Sequence, residues 1–240
     1  MKLLLLFWLS ALTLLAQVFG TVERIEGQAV RFPEGKATAL PLEKGAALLV
    51  GDRLATEAGS RVLIRQEDGT IIAVGQKTTL LLETPQAVDQ KKGEAYYLVP
   101  RRLLNKAAST LREVSPERFK VRIKTATIGI RGTEFIVESD GKQRVMLNEG
   151  KLAIRSEMEA FHRYVREEMA EFEQFKQQAE REFEQFKSEQ DGFRFVEDTE
   201  IIELDAGYGV SLDGRNAYER KMAPDAKEKF RAFTDFVRGR

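Results

Sequence analysis

The side chains that could carry chemistry are few. The chain has one histidine, His162, and no cysteine. A lone imidazole with no thiolate and no second histidine is a poor metal-ligand set. It also has no identifiable partner for general acid–base work. Without cysteine there is no disulfide, no thiolate nucleophile and no lipid-modified N-terminal Cys. Carboxylates are plentiful, but they concentrate between Ser156 and Gln190, where ten acidic residues stand beside five basic ones. That pattern reads as a solvated helix face rather than a paired-carboxylate site. There is no phosphate-cradling glycine loop and no nucleophile elbow, and Asp140-Gly141 lacks the ligands of a calcium loop. The expectation is a protein with no catalytic residue, no metal and no cofactor.

What remains is binding. Arg131-Gly132-Thr133-Glu134 sets two charges around a glycine that could let a partner backbone approach. Equally, Gly132 could serve a bend or bulge, with Arg131 paired to a carboxylate to fix the sheet. Lys91-Lys92 and Arg101-Arg102 surround Tyr96-Tyr97, either as a contact for an anionic polymer or as ordinary surface. The strongest candidate is aromatic. Phe172-Glu173-Gln174-Phe175-Lys176 recurs unchanged at Phe183-Glu184-Gln185-Phe186-Lys187, eleven residues on, and Phe161 and Tyr164 precede Phe172 and Phe175 by the same step. Eleven residues are three helical turns, so these aromatics would form one stripe. Phe172, Phe175, Phe183 and Phe186, with Arg131, Gly132, Thr133 and Glu134, are the candidate partner-binding residues. A stripe of that size implies a protein partner or self-association.

Those residues need elements to hold them. Arg61-Val62-Leu63-Ile64-Arg65 and Thr70-Ile71-Ile72-Ala73-Val74 flank Asp68-Gly69, a strong hairpin signal. Asp140-Gly141 marks a second hairpin. Phe119, Val121 and Ile123 alternate with Lys120, Arg122 and Lys124, as in a half-buried strand. The expected fold is mainly β, with packed antiparallel strands over 21–155 and a short helix near 101–114. A long amphipathic helix over 156–190, roughly 50 Å long, is then inserted before a returning β hairpin at 191–214. A C-terminal amphipathic helix over 215–240 completes it, with Met222, Ala226, Phe230, Phe233 and Val237 on one face. The two helical segments carry opposite net charge, which predicts that the C-terminal helix lies along the long one.

Residues 1–20 read as a signal peptide: Lys2, an apolar run from Leu3 to Leu15, then Val18-Phe19-Gly20 before Thr21. An uncleaved N-terminal anchor gives the same compartment. No later apolar run is long enough to span a membrane. With a formal net charge of zero, the molecule offers no field to attract nucleic acid. Periplasmic or otherwise exported localisation follows.

The segment Lys124-Thr125-Ala126-Thr127-Ile128-Gly129-Ile130-Arg131-Gly132-Thr133-Glu134-Phe135, with Asn148-Glu149-Gly150-Lys151-Leu152 after it, resembles the signature of FecR domains. Upstream, Gly51-Asp52-Arg53-Leu54-Ala55-Thr56, Ser60-Arg61 and Asp68-Gly69-Thr70 fit the same family. The resemblance runs from about Val22 to Ile154. It implies a periplasmic, mainly β domain that binds a partner. Classical members regulate a sigma factor through a cytoplasmic segment before a single membrane span. Here the apolar run starts at Leu3, so that role is not expected whole. The function expected is a protein-binding, scaffolding or signalling-accessory module of the envelope. The alternative is an envelope sensor for a glycan or peptide.

Overall fold

The computed structural model describes residues 17–100, 119–130, 132–166 and 192–239. Twenty strands are seen among them: β1 (Val18–Glu26), β2 (Ala29–Phe32), β3 (Leu40–Pro41), β4 (Ala47–Leu49), β5 (Arg53–Thr56), β6 (Arg61–Arg65), β7 (Ile71–Val74), β8 (Thr79–Thr84), β9 (Ala87–Lys92), β10 (Glu94–Val99), β11 (Phe119–Arg122), β12 (Ala126–Ile130), β13 (Thr133–Glu138), β14 (Gln143–Glu149), β15 (Lys151–Ser156), β16 (Phe161–Arg166), β17 (Phe193–Thr199), β18 (Ile201–Asp205), β19 (Tyr208–Asp213) and β20 (Asn216–Lys221). One helix, α1 (Pro224–Arg238), follows them.

The strands form two mixed sheets. The larger runs β17-β16-β20-β19-β14-β13-β10-β7-β6-β1-β4, and the smaller runs β18-β15-β12-β11-β9-β8-β5-β2-β3. Most neighbours are antiparallel, but β11 with β9 and β16 with β20 are parallel. Both hairpins written in the sequence form, β6 with β7 and β13 with β14. Gly69 and Gly141 supply the positive φ of their turns, +87° and +70°.

Side chains on a strand alternate between faces, and here each face has its own destination. Val62, Ile64, Ile72, Val74, Tyr97, Phe135 and Val137 of the larger sheet meet Leu54, Leu80, Leu82, Val121, Ile128 and Ile154 of the smaller in one buried core. The opposite face of the larger sheet offers Leu63, Ile71, Ala73, Tyr96, Ile136 and Met146, and α1 covers it with Ala226, Phe230, Phe233 and Phe236. The middle strands are therefore buried on both sides, which is why Ile71-Ile72-Ala73-Val74 shows no polar alternation.

Helix α1 starts where Pro224 fits its first turn and stops at Gly239, whose φ is +79°. Arg24 donates to the Phe236 carbonyl at 2.6 Å, a cation at the negative end of the helix. The guanidinium groups of Arg24 and Arg61 also lie over the Phe236 ring. Near the middle of α1, Lys229 bonds Glu138 and approaches Glu94 at 3.5 Å.

Three expectations change. The helix expected from Ser156 does not begin there: Lys151–Ser156 is β15 and Phe161–Arg166 is β16. Phe161 and Tyr164 lie three apart, which is one face of a helix but opposite faces of a strand. Phe161 enters the core, on a strand paired with β17 on one side and β20 on the other. No long inserted helix is seen among the described residues, and Phe172, Phe175, Phe183 and Phe186 lie outside them. Second, the apolar face of α1 packs on the larger sheet; residues 167–190, along which it was expected to lie, are outside the described residues. Third, residues 216–221 form β20 before α1 begins. The helix expected near 101–114 lies outside the described residues.

Candidate interaction surface

The described residues of the Arg131–Glu134 spot make contacts within the fold. Arg131 lies outside the described residues. Gly132 has φ +64°, and its carbonyl would lie 2.5 Å from any Cβ placed at Gly150, itself at φ +95°. The two glycines let β13 and β14 cross closely where their register slips between Glu134 and Phe135. Thr133 is buried, and its hydroxyl has no hydrogen-bond partner among the described residues. Glu134 is pinned on both oxygens: Tyr96 donates its hydroxyl at 3.0 Å and Asn148 its amide at 2.8 Å. Burial and that carboxylate push the Tyr96 hydroxyl well above its ordinary value.

Tyr96 and Tyr97 point to opposite faces of β10 and both are buried. Tyr97 stacks on Phe135 and donates to Gln90 at 2.9 Å, and burial raises its hydroxyl too. They form no exposed platform beside Lys91 and Lys92, and Arg101 and Arg102 lie outside the described residues. Lys91 bonds Asp89. A cleft of about 360 Å³ opens between α1 and the sheet at Ser60, Arg61, Glu94, Lys229 and Phe233. Its cations are already paired, Arg61 with Glu26 and Lys229 with the two glutamates.

The surface that stands out is the far end of the larger sheet, which the sequence alone did not single out. There β17 is the last strand, with β16 and β20 behind it. The pairings Tyr218 with Tyr164 and Tyr164 with Phe195 lay an aromatic row across all three. Tyr164 and Tyr218 stack with centroids 5.1 Å apart, Phe195 meets Tyr164 edge-on at 5.7 Å, and Phe193 meets Tyr218 at 5.4 Å. Phe195 is 50 % exposed and its neighbour Val196 41 %. Charges frame the row. His162 shares a 2.6 Å hydrogen bond with Asp198. Arg163 forks between Glu197 at 2.9 Å and Glu219 at 2.9 and 3.1 Å. Burial alone would lower the Arg163 guanidinium, but the two carboxylates outweigh it and raise it.

From Glu197 to Asp205 the chain carries Glu197, Asp198, Glu200, Glu203 and Asp205, all exposed, along the last strands of both sheets. The alternation in Phe161–Arg166 and Phe193–Thr199 was the available signal for this surface. It was masked because the aromatics of β16 also fit the eleven-residue step. Among the described residues no cluster of three or more His, Asp or Glu could hold a metal ion, and no helix is long and apolar enough to cross a membrane.

Most polar residues of the family-like string hold the fold together. Asp52 accepts the Leu49 amide at 3.0 Å and faces Arg31. The Thr56 hydroxyl bridges Gly75 and Thr78, Ser60 accepts the Gln28 amide at 2.8 Å, and Asp68 caps Thr70 at 2.9 Å. Residues 52–153 match the family model described as FecR protein. No curated protein matches the chain. Two crystal structures of a protein from Parabacteroides distasonis ATCC 8503, called a "putative anti-sigma factor", are similar at 16 % identity with TM-scores of 0.43 and 0.42. The similarity covers 74 % of this chain and 62 % of that one. The residues that match the FecR model lie on strands that share one core with the rest of the sandwich.

Proposed function

We propose that the protein is a non-enzymatic, exported FecR-domain module that docks a protein partner in the cell envelope as a signalling accessory or scaffold. The observation that carries this is β17. It is the terminal strand of an eleven-stranded sheet, and no other described strand pairs with its outer edge. An open edge presents backbone donors and acceptors to any extended segment that adds to it. Phe195 and Val196 supply apolar contacts beside that edge; Glu197, Asp198 and Asp205 are paired with Arg163, His162 and Lys151, and the exposed Glu200 and Glu203 favour basic side chains. The partner chemistry is therefore an extended segment with apolar and basic residues, pairing with β17.

The test places a photo-crosslinking residue at Val196 in the full chain, in cells, with Lys44 as an exposed control position. The expected result is a discrete protein adduct at Val196 that is absent at Lys44 and lost in a Glu197→Lys/Asp198→Lys variant. Equal labelling at both positions, or none at Val196, contradicts the proposal. An adduct of twice the chain mass identifies the partner as a second copy.

A further inference from the structure

The amino-terminal boundary of the folded unit lies earlier than the sequence pattern suggests. Phe19 is 3 % exposed and belongs to the main core. Its carbonyl accepts the Gln66 side-chain amide at 2.9 Å. Gln17 offers its carbonyl to the Val50 amide, also at 2.9 Å. Val18 and Gly20 pair with Leu49 and Leu48 of β4. Gly20 sits so near β6 that a Cβ there would be 2.9 Å from the Arg65 carbonyl. A cut between Gly20 and Thr21 would remove all of this. It would take an aromatic ring from the core, leave the buried Gln66 amide short of an acceptor and strip β4 of two of its three paired positions.

We infer that the exported chain is processed between Ala16 and Gln17, so that the mature protein begins at Gln17. Ala16 is a small residue directly after the apolar run that ends at Leu15, the residue type expected at the end of a removed signal. Every contact named above lies on the retained side of that bond. A peptidase acts on the chain before it folds, so selection falls on what the folded product needs, and this product needs Gln17 to Gly20. The inference rests on the export reading of the proposed function, and the two fail in different ways.

Full-length protein is produced in a Gram-negative host, and the cell fractions are analysed by intact mass and amino-terminal peptide sequencing. The expected result is a periplasmic chain starting at Gln17. An Ala16→Asp variant should accumulate as the uncut precursor. A periplasmic chain starting at Thr21, or normal processing of Ala16→Asp, overturns the inference and leaves export intact. An uncut chain in the membrane overturns it as well. An uncut chain in the cytoplasm overturns the export reading itself. As an independent check, Thr21–Arg240 should melt roughly 10 °C or more below Gln17–Arg240, and equal melting points would contradict the role given to Phe19.

Discussion

At Gly150 a methyl group has nowhere to go. A Cβ there would meet the Gly132 carbonyl at 2.5 Å and the Thr133 methyl at 2.6 Å, in a backbone conformation that L residues avoid. Gly150→Ala should therefore lower stability by roughly 2 kcal/mol or more, read as a fall in the urea midpoint. An unchanged midpoint would mean that the β13–β14 crossing is looser than described. The buried tyrosines give a pH signature. Their hydroxyls are raised above the ordinary 10.0, so the neutral forms stabilise the fold fully below about pH 10. That contribution is lost as pH rises beyond the unfolded value. Lys229, raised by Glu138 and Glu94 against the lowering effect of its burial, is lost in the same direction. Denaturation midpoints should hold from pH 8 to about 10 and fall from there towards pH 11, and Tyr97→Phe should flatten the fall. An equal slope in the variant would assign the whole effect to lysines such as Lys229.

The C-terminal helix is an integral layer of the fold. Phe233 stacks on Tyr96 at 5.8 Å and Phe230 meets it edge-on at 6.4 Å. Phe233→Ala should cost about 3–5 kcal/mol, measured by chemical denaturation, whereas a helix merely resting on the surface would lose less than 1 kcal/mol. By contrast, β17 has exposed side chains at every position but its two ends. Val196→Lys should leave the melting temperature within about 2 °C of the parent, because surface changes of this kind move stability by less than about 0.5 kcal/mol, and should abolish the Val196-centred docking. A large drop in melting temperature would place Val196 in the core and remove the argument for an open edge.

For the whole molecule, legibility followed how many faces of an element are buried. The hairpins at Asp68-Gly69 and Asp140-Gly141 were readable because turn chemistry is local. The apolar face of α1 was readable because one side of the helix meets one sheet. Its docking partner was not, since net charge along a segment does not reveal that Leu63, Tyr96 and Ile136 line up on the outer face of the larger sheet. The Phe161–Arg166 segment was misread because aromatics three apart satisfy a helical period. Its neighbours as a strand are distant in sequence, β17 on one side and the parallel β20, more than fifty residues later, on the other. In the sequence, the Arg131–Glu134 spot fits recognition or sheet geometry. For Gly132 and Glu134 the geometry is now visible, in a close strand crossing and a doubly bonded carboxylate.

The central claim is that β17, beyond which no other described strand pairs, is available to a partner strand. Residue-resolved amide hydrogen exchange on the purified protein tests it most directly. The account predicts fast exchange at roughly every second amide from Phe193 to Thr199, with Tyr164 and its β16 neighbours protected by pairing on both sides. Uniform protection along β17 would mean that its outer edge is already covered, and would contradict the proposed docking surface.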